Sequence, residues 1–225
     1  MSVAIILEQD LKWREAELAS LKRLAINATT EQVAYRALLR AMWALLYAHF
    51  EGFTKFCWDT LLDHVQSEAI PVGGLDTKFA LLALETRFKN HRANLDSTSI
   101  WSFFEDGLPQ ALLIAAEFPD DARLKTESNL WPNIFERESD RLGIQCDELH
   151  KHRSRITALV ARRNDIAHGK NMVIATLTEY REYENATLCL MHELAIKSME
   201  IIDGKAYKKE ASSAIIGEEN VVKGT

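Results

Sequence analysis

The segment from Arg162 to Gly169 holds the densest group of side chains that could take part in chemistry. At about 100° per residue, Asn164 and His168 lie one turn apart on one face of a helix, and Arg163 flanks that face. A histidine exchanges protons near neutral pH, an arginine donates paired N–H groups to a phosphate, and an asparagine can orient a partner. The set therefore suits phosphodiester chemistry without a metal ion.

The same residues also have a purely structural interpretation. A helix end with a histidine, a glycine cap, solvated arginines and a contact between Asp165 and His168 needs no ligand at all. An arginine and a histidine five positions apart also arise by chance in a chain with seven histidines. The spacing alone does not decide between catalysis and a capped helix.

Three stretches of the chain resemble one known superfamily. The run from Arg163 to Gly169 (RNDIAHG) resembles the R-x4-6-H signature of HEPN domains, in which a polar residue, very often Asn, follows the arginine. The stretch from Tyr47 to Phe53 (YAHFEGF) is similar to an aromatic-x3-Glu pattern of stand-alone prokaryotic HEPN proteins. Ser128 to Trp131 (SNLW) is similar to the same branch, so the resemblance covers most of the chain.

This resemblance implies an all-α, HEPN-like up-and-down helical bundle, commonly a homodimer. It also implies a metal-independent endoribonuclease of toxin–antitoxin or antiviral-defence systems, with RNA as substrate, no cofactor, and an antitoxin or regulatory protein as a further partner. Attack of a ribose 2′-OH on its phosphate needs proton transfer and charge stabilisation. We assign proton transfer to His168, phosphorane stabilisation to Arg163, orientation to Asn164 and an RNA-backbone contact to Arg162.

A second set of polar residues is expected on the preceding long helix. Tyr47, Glu51 and Lys55 fall at i, i+4 and i+8, and Arg40 lies two turns earlier. The order of Glu51 and Lys55 is the favourable one for an ion pair on a helix. This row of side chains on the helix is either a surface ion pair without further function or a support for Arg163, Asn164 and His168.

Some HEPN domains have no activity and bind a nucleotide or a protein partner, and this alternative stays open. The net charge of −6 argues against a surface that attracts nucleic acid everywhere, so any RNA contact must be local. The intact set of Arg163, Asn164 and His168 favours the ribonuclease.

Other residue types give weaker signals. His150 and His152 diverge on a helix and do not have metal-ligand spacing, so we predict no metal site. Trp101, Phe103 and Phe104 could stack on bases, but core packing is the expectation. The three cysteines (Cys57, Cys146 and Cys189) are far apart without a C-x-x-C pair, which favours free thiols and a cytoplasmic location. The most apolar stretch, 41–50, is shorter than the roughly 20 residues of a membrane span.

The composition favours helices over strands. Hydrophobic residues make up 47% of the 225, enough for a sizeable core, while nine Gly and four Pro leave few turns for a β-sandwich. Residues 1–204 are predicted to form one helical domain with a long second helix, and residues 205–225 a loosely ordered tail. Thr29 and Gln32 have the spacing of a capping box. The helices expected from periodicity cover 6–26, 30–65, 77–87, 97–105, 108–118, 131–142, 146–167 and 175–202.

Overall fold

The computed structural model describes residues 2–93, 96–171 and 176–210. Within these ranges the chain is helical, with two isolated β-bridges and no strand. The predicted all-α fold is therefore confirmed. The α-helices are α1 (Val3–Asn27), α2 (Gln32–Ser67), α3 (Thr77–Ala83), α4 (Glu85–Ala93), α5 (Ser97–Ser102), α6 (Leu108–Leu113), α7 (Pro132–Arg141), α8 (Asp147–Ala167) and α9 (Leu177–Asp203).

The long helix α2 is the spine of the bundle. Its apolar side chains recur with helical period, and Trp43, Leu46, Phe50 and Phe53 are fully buried. The helix packs against α1, α8 and α9, and α8 packs antiparallel to α9. The predicted packing of the second helix against a C-terminal hairpin is confirmed, and this packing brings the middle of α2 beside the end of α8.

The predicted capping box at the start of α2 is wrong. Helix α2 begins at Gln32 with Glu31 in the N-cap position, and no side chain caps it. Thr29 lies in the preceding turn, where its N–H donates to the Ile26 carbonyl (3.4 Å). The chain needs those residues to reverse direction after α1, so the hydroxyl of Thr29 does not reach the first turn of α2.

The middle of the chain is more broken than the sequence predicts. The helix expected over 77–87 divides at Leu84, and the one expected over 97–105 passes into a π-helical turn, Phe103–Gly107. The helix expected over 108–118 ends at Leu113, because residues 114–116 pair instead with the loop at 70–72. The expectation of core packing is confirmed for Phe103, which is buried. It is wrong for Trp101 and Phe104, which are 68% and 63% exposed.

The start of the predicted tail is held firmly, which corrects the expectation for residues 205–210. Tyr207 is buried, its carbonyl accepts from the Asp76 N–H (2.8 Å), and the Lys209 N–H donates to the Gly74 carbonyl (2.9 Å). The ring of Tyr207 also meets Phe79 edge to face. Residues 211–225, the rest of that tail, lie outside the described residues.

Two further findings bear on the expectations from composition. Cys57, Cys146 and Cys189 are all free thiols, the first two buried. Within the part of the chain that the structure describes, no helix combines the length and the apolar character needed to cross a membrane.

Candidate active site around Arg163

The last turn of α8 ends in a left-handed glycine cap. Gly169 has a φ of +72°, and its N–H donates to the Ile166 carbonyl (3.1 Å). The next N–H, of Lys170, donates to the Asp165 carbonyl (2.9 Å). A Cβ at position 169 would meet nothing within 4 Å, so the backbone angle, not space, requires the glycine. The predicted end of the helix is confirmed.

The turn that follows is fastened to both neighbouring helices. The carboxylate of Asp165 accepts from Lys170 Nζ (2.7 Å). The carbonyl of Lys170 accepts from Arg40 Nη1 (2.9 Å), which ties the turn to α2. The contact between Asp165 and His168 that a purely structural interpretation would use does not form, because Asp165 turns to Lys170.

The guanidinium of Arg163 is held by three side chains from three parts of the fold. Its Nη1 donates to Asn129 Oδ1 (2.8 Å) and to Asn164 Oδ1 (3.0 Å). Its carbon atom Cζ lies 4.5 Å from the ring centroid of Tyr47, a cation–π contact. In the described residues, Nε and Nη2 of Arg163 have no hydrogen-bond acceptor. One edge of the partly exposed guanidinium is thus fixed, and the other edge can donate hydrogen bonds to a ligand.

Tyr47 supports Arg163 from the buried side of α2. Its hydroxyl accepts from the Leu130 N–H (2.8 Å) and is hydrogen-bonded to Glu51. Burial, chiefly, and the negative charge of Glu51 raise the pKa of Tyr47 to about 12, although the bond from Leu130 opposes this. Tyr47 therefore stays a neutral phenol at physiological pH and acts as a scaffold with a fixed ring.

Glu51 and Lys55 form the predicted ion pair, with Lys55 Nζ 2.8 Å from Glu51 Oε1. Burial opposes ionisation of Glu51, but hydrogen bonds from Lys55, Tyr47 and Thr126 outweigh it and lower the pKa of Glu51. The carboxylate links α2 to the turn before α7. This row of side chains on α2 is therefore joined to Arg163 through Tyr47, as a supporting network.

The turn before α7 brings in Asn129, a residue that we did not include among the predicted site residues. Glu127 takes a positive φ of +56°, and the Asn129 N–H donates to the Thr126 carbonyl (2.9 Å). The next residue, Leu130, is fully buried and anchors the turn. The sequence signal was present, because Asn129 lies within the SNLW stretch that resembles HEPN proteins. What no local pattern could show is the bond to Arg163.

Arg162 is partly exposed, and its guanidinium is paired with side chains of the bundle. Its Nη1 forms an ion pair with Glu179 of α9, and its guanidinium lies over the rings of Trp43 (4.9 Å) and Tyr183 (5.3 Å). These contacts join α8, α9 and α2. An arginine paired and stacked in this way contributes to packing, and the RNA-backbone contact of Arg162 stays a prediction.

His168 occupies the C-cap position of α8. Its N–H donates to the Asn164 carbonyl (2.9 Å), so the two residues are one turn apart as predicted. The side chain is exposed, and within the described ranges its ring has no hydrogen bond or ion pair. An imidazole in this setting can accept or donate a proton with a bound ligand.

The remaining histidine candidates lie elsewhere on α8. His152 Nε2 lies 3.3 Å from Glu148, and His150 Nδ1 lies 3.9 Å from Glu136. Among residues 2–93, 96–171 and 176–210, no group of three or more His, Cys, Asp or Glu side chains is placed to hold a metal ion.

The described part of the chain is an all-α bundle, in which Arg163, Asn164 and His168 lie at the end of α8. The model of the HEPN_MAE_28990-like HEPN family matches residues 5–207. The protein therefore belongs to this HEPN family. No curated protein and no solved structure matches the chain.

Proposed function

We propose that this HEPN protein is a metal-independent endoribonuclease. The observation that carries the proposal is the state of Arg163. Three side chains fix one edge of its guanidinium, and the two nitrogens of the other edge stay unpaired in the described structure. A preorganised cation with free donors is what a phosphate with developing charge requires.

The proposed reaction is attack of a ribose 2′-OH on its own 3′-phosphate. The 2′-oxygen forms a bond to phosphorus, its proton passes to a base, and the bond from phosphorus to the departing 5′-oxygen breaks as that oxygen takes a proton. His168 performs proton transfer, Arg163 stabilises the dianionic phosphorane, and Asn164 holds Arg163 and can donate its own amide N–H to the phosphate. Arg162 keeps the α8–α9 hairpin in place.

A two-fold dimer would supply the second proton-transfer group. One protomer offers a single histidine at this site, whereas the reaction uses both a base and an acid. Three large apolar side chains, Leu24, Ile26 and Val33, are exposed on α1 and α2. They lie at the same end of the bundle as His168, because the Tyr35 hydroxyl of α2 accepts from the N–H of Leu177 at the start of α9. A second copy packed on them would bring two His168 rings together.

A ribonuclease of this kind endangers the cell that makes it. We therefore further propose a cytoplasmic toxin or antiviral-defence component, restrained by an antitoxin or regulatory protein. The alternative is a non-catalytic domain that binds a nucleotide or a protein partner with the same residues.

Cleavage of RNA in excess EDTA tests the proposal. We expect the purified protein to degrade RNA. His168→Ala should lose roughly 10²–10⁴-fold in rate, the range for a lost proton-transfer group. Arg163→Ala should lose roughly 10²–10³-fold, the range for a lost donor to developing charge. His150→Ala is the matched control, since His150 is also an exposed histidine of α8. RNA binding without cleavage by the wild-type protein would instead support the binding module.

A further inference from the structure

A cavity lies away from Arg163, among the short helices of the middle region. It is open to solvent on one side and has a volume of about 880 Å³ between α3, α4, α5, the π-helical turn and α7. Its size is within the range of small-molecule sites. The walls are mostly apolar and are formed by Leu81, Leu82, Phe88, Ile100, Phe103 and Phe104.

Charged groups also line this cavity, and two of its cations are unpaired. Arg137 and Arg141 both bind the buried carboxylate of Glu138. Lys78 and Arg92, in contrast, have no side-chain hydrogen bond or ion pair in the described part of the chain, and the same is true of the acidic residue Asp140. The unpaired groups therefore carry an excess of one positive charge in a chain whose net charge is −6.

We propose that this cavity binds a medium-chain fatty acid. The hydrocarbon chain would lie against the leucine and phenylalanine side chains, and the carboxylate would pair with Lys78 or Arg92. A fatty acid has one negative charge, which matches the single excess positive charge of the unpaired groups. An alkyl phosphate carries about −1.5 to −2 at neutral pH and would remain undercompensated there.

The chemistry of the wall favours an aliphatic chain over a nucleotide. A nucleobase loses hydrogen bonds to water on burial and needs replacements in the plane of its ring. Besides the charged groups and the imidazole of His91, the wall offers carbon: the rings of Phe88 and Phe103 meet edge to face. The His91 ring itself packs against Phe103, with 4.0 Å between the ring centroids. A methylene chain needs no polar partner, and contact with carbon is sufficient.

Isothermal titration of the full-length protein with saturated fatty acids, below their micelle concentrations, tests the proposal. We expect affinity to rise roughly fourfold with each added methylene between octanoate and dodecanoate, as burial of one CH₂ predicts. Dodecanoate should bind more tightly than dodecyl phosphate, and dodecyltrimethylammonium should not bind. Equal binding of the cationic amphiphile, or tighter binding of the phosphate, would overturn the proposal.

Charge reversal identifies the anchoring residue. Lys78→Glu or Arg92→Glu should weaken dodecanoate binding at least tenfold, and both positions are exposed, so the fold should be retained. Arg181→Glu is the matched control, an exposed arginine of α9 outside the cavity. Leu81→Asp should weaken binding independently of the head group, because it places a carboxylate against the chain. Unchanged binding in all three cavity variants would contradict the assignment, whatever the result with RNA.

Discussion

The side chains of Arg163 and Asn129 meet at 2.8 Å between Nη1 and Oδ1, although the two residues are 34 positions apart in the chain. Arg163 is on α8, and Asn129 lies in the turn that precedes α7. The bond fixes the direction in which the guanidinium points. An arginine on a helix end is otherwise a flexible side chain with much rotamer freedom to lose.

Replacement of Asn129 by alanine should therefore slow RNA cleavage with little effect on folding. A hydrogen bond to a charged group is worth about 1.5–3 kcal/mol, which corresponds to at least a tenfold loss if the bond acts mainly in the transition state. Single-turnover cleavage should show the loss in the rate and not in RNA affinity. Asn133→Ala, an exposed asparagine on α7, is the control. A wild-type rate for Asn129→Ala would show that Arg163 needs no such positioning.

Tyr47→Phe should separate stability from catalysis. The change leaves the Leu130 N–H without its acceptor in a buried place, and an unsatisfied buried group costs about 1–3 kcal/mol. The ring under Arg163 remains, so the folded protein should still cleave RNA at nearly the wild-type rate. Urea unfolding and cleavage assays measure the two effects. Tyr47→Leu, which also removes the ring, should lower both, and an equal loss of activity in the two variants would contradict the role of the ring.

Dimer formation through the end of the bundle near His168 can be tested at one apolar residue. Val33 is 86% exposed, and its replacement by glutamate should produce a monomer that no longer cleaves RNA, because the paired site is lost. Sedimentation velocity gives the oligomeric state. Leu113, 78% exposed on α6, provides the control variant Leu113→Glu, which should stay dimeric and active. An active monomeric wild-type protein would exclude the shared cleft.

Stability should fall between neutral and mildly acidic pH because of His49. This buried histidine lies between α1 and α2, with Glu17 3.0 Å from its Nε2 and Arg14 3.4 Å from its Nδ1. Burial, and then the charge of Arg14, lower its pKa below 6.5, although Glu17 and Asp10 oppose the shift. Above pH 6.5 its contribution to stability is complete. As the pH falls toward the lowered pKa, the unfolded chain takes up the proton first, so the free energy of unfolding decreases.

Urea unfolding at pH 7.5 and pH 5.5 measures this loss. His49→Gln should be less stable at both values but should lose less between them, because glutamine has no proton to gain. The interval lies above the ordinary pKa of glutamate, 4.5, so carboxylates contribute little to the difference. The same pH dependence in wild type and variant would show that His49 is not responsible.

The long helices could be predicted because their evidence is local and repeated. Periodic apolar residues over seven or more turns located α2 and α9 to within about two residues at most ends. The predicted bounds of the short middle helices were wrong where tertiary contacts determine the end of a helix. Residues 114–116 leave the helical pattern because they pair with the loop at 70–72, which no sequence window reveals.

The site residues that share one helix could be predicted from the sequence. The prediction missed those that come from other parts of the chain. Arg163, Asn164 and His168 are close in sequence, so helical geometry related them. Asn129 and the stacking of Arg162 on Trp43 depend on contacts between distant parts of the chain. Arg162 and Arg163 are adjacent in sequence, yet their side chains face different neighbours and have different tasks.

The products of cleavage should be a 2′,3′-cyclic phosphate and a 5′-hydroxyl, because the proposed nucleophile is the 2′-OH of the RNA itself. A single 2′-deoxy sugar at the scissile position should then block cleavage without preventing binding. The same substrate with the deoxy sugar one nucleotide away is the matched control and should be cut. End-group analysis by mass spectrometry identifies the products. Attack by water with breakage of the bond between phosphorus and the 3′-oxygen would instead leave a 3′-hydroxyl and a 5′-phosphate. Cleavage of the blocked substrate, or full activity in His168→Ala, would remove the ribonuclease assignment from this site and leave the binding module as its function.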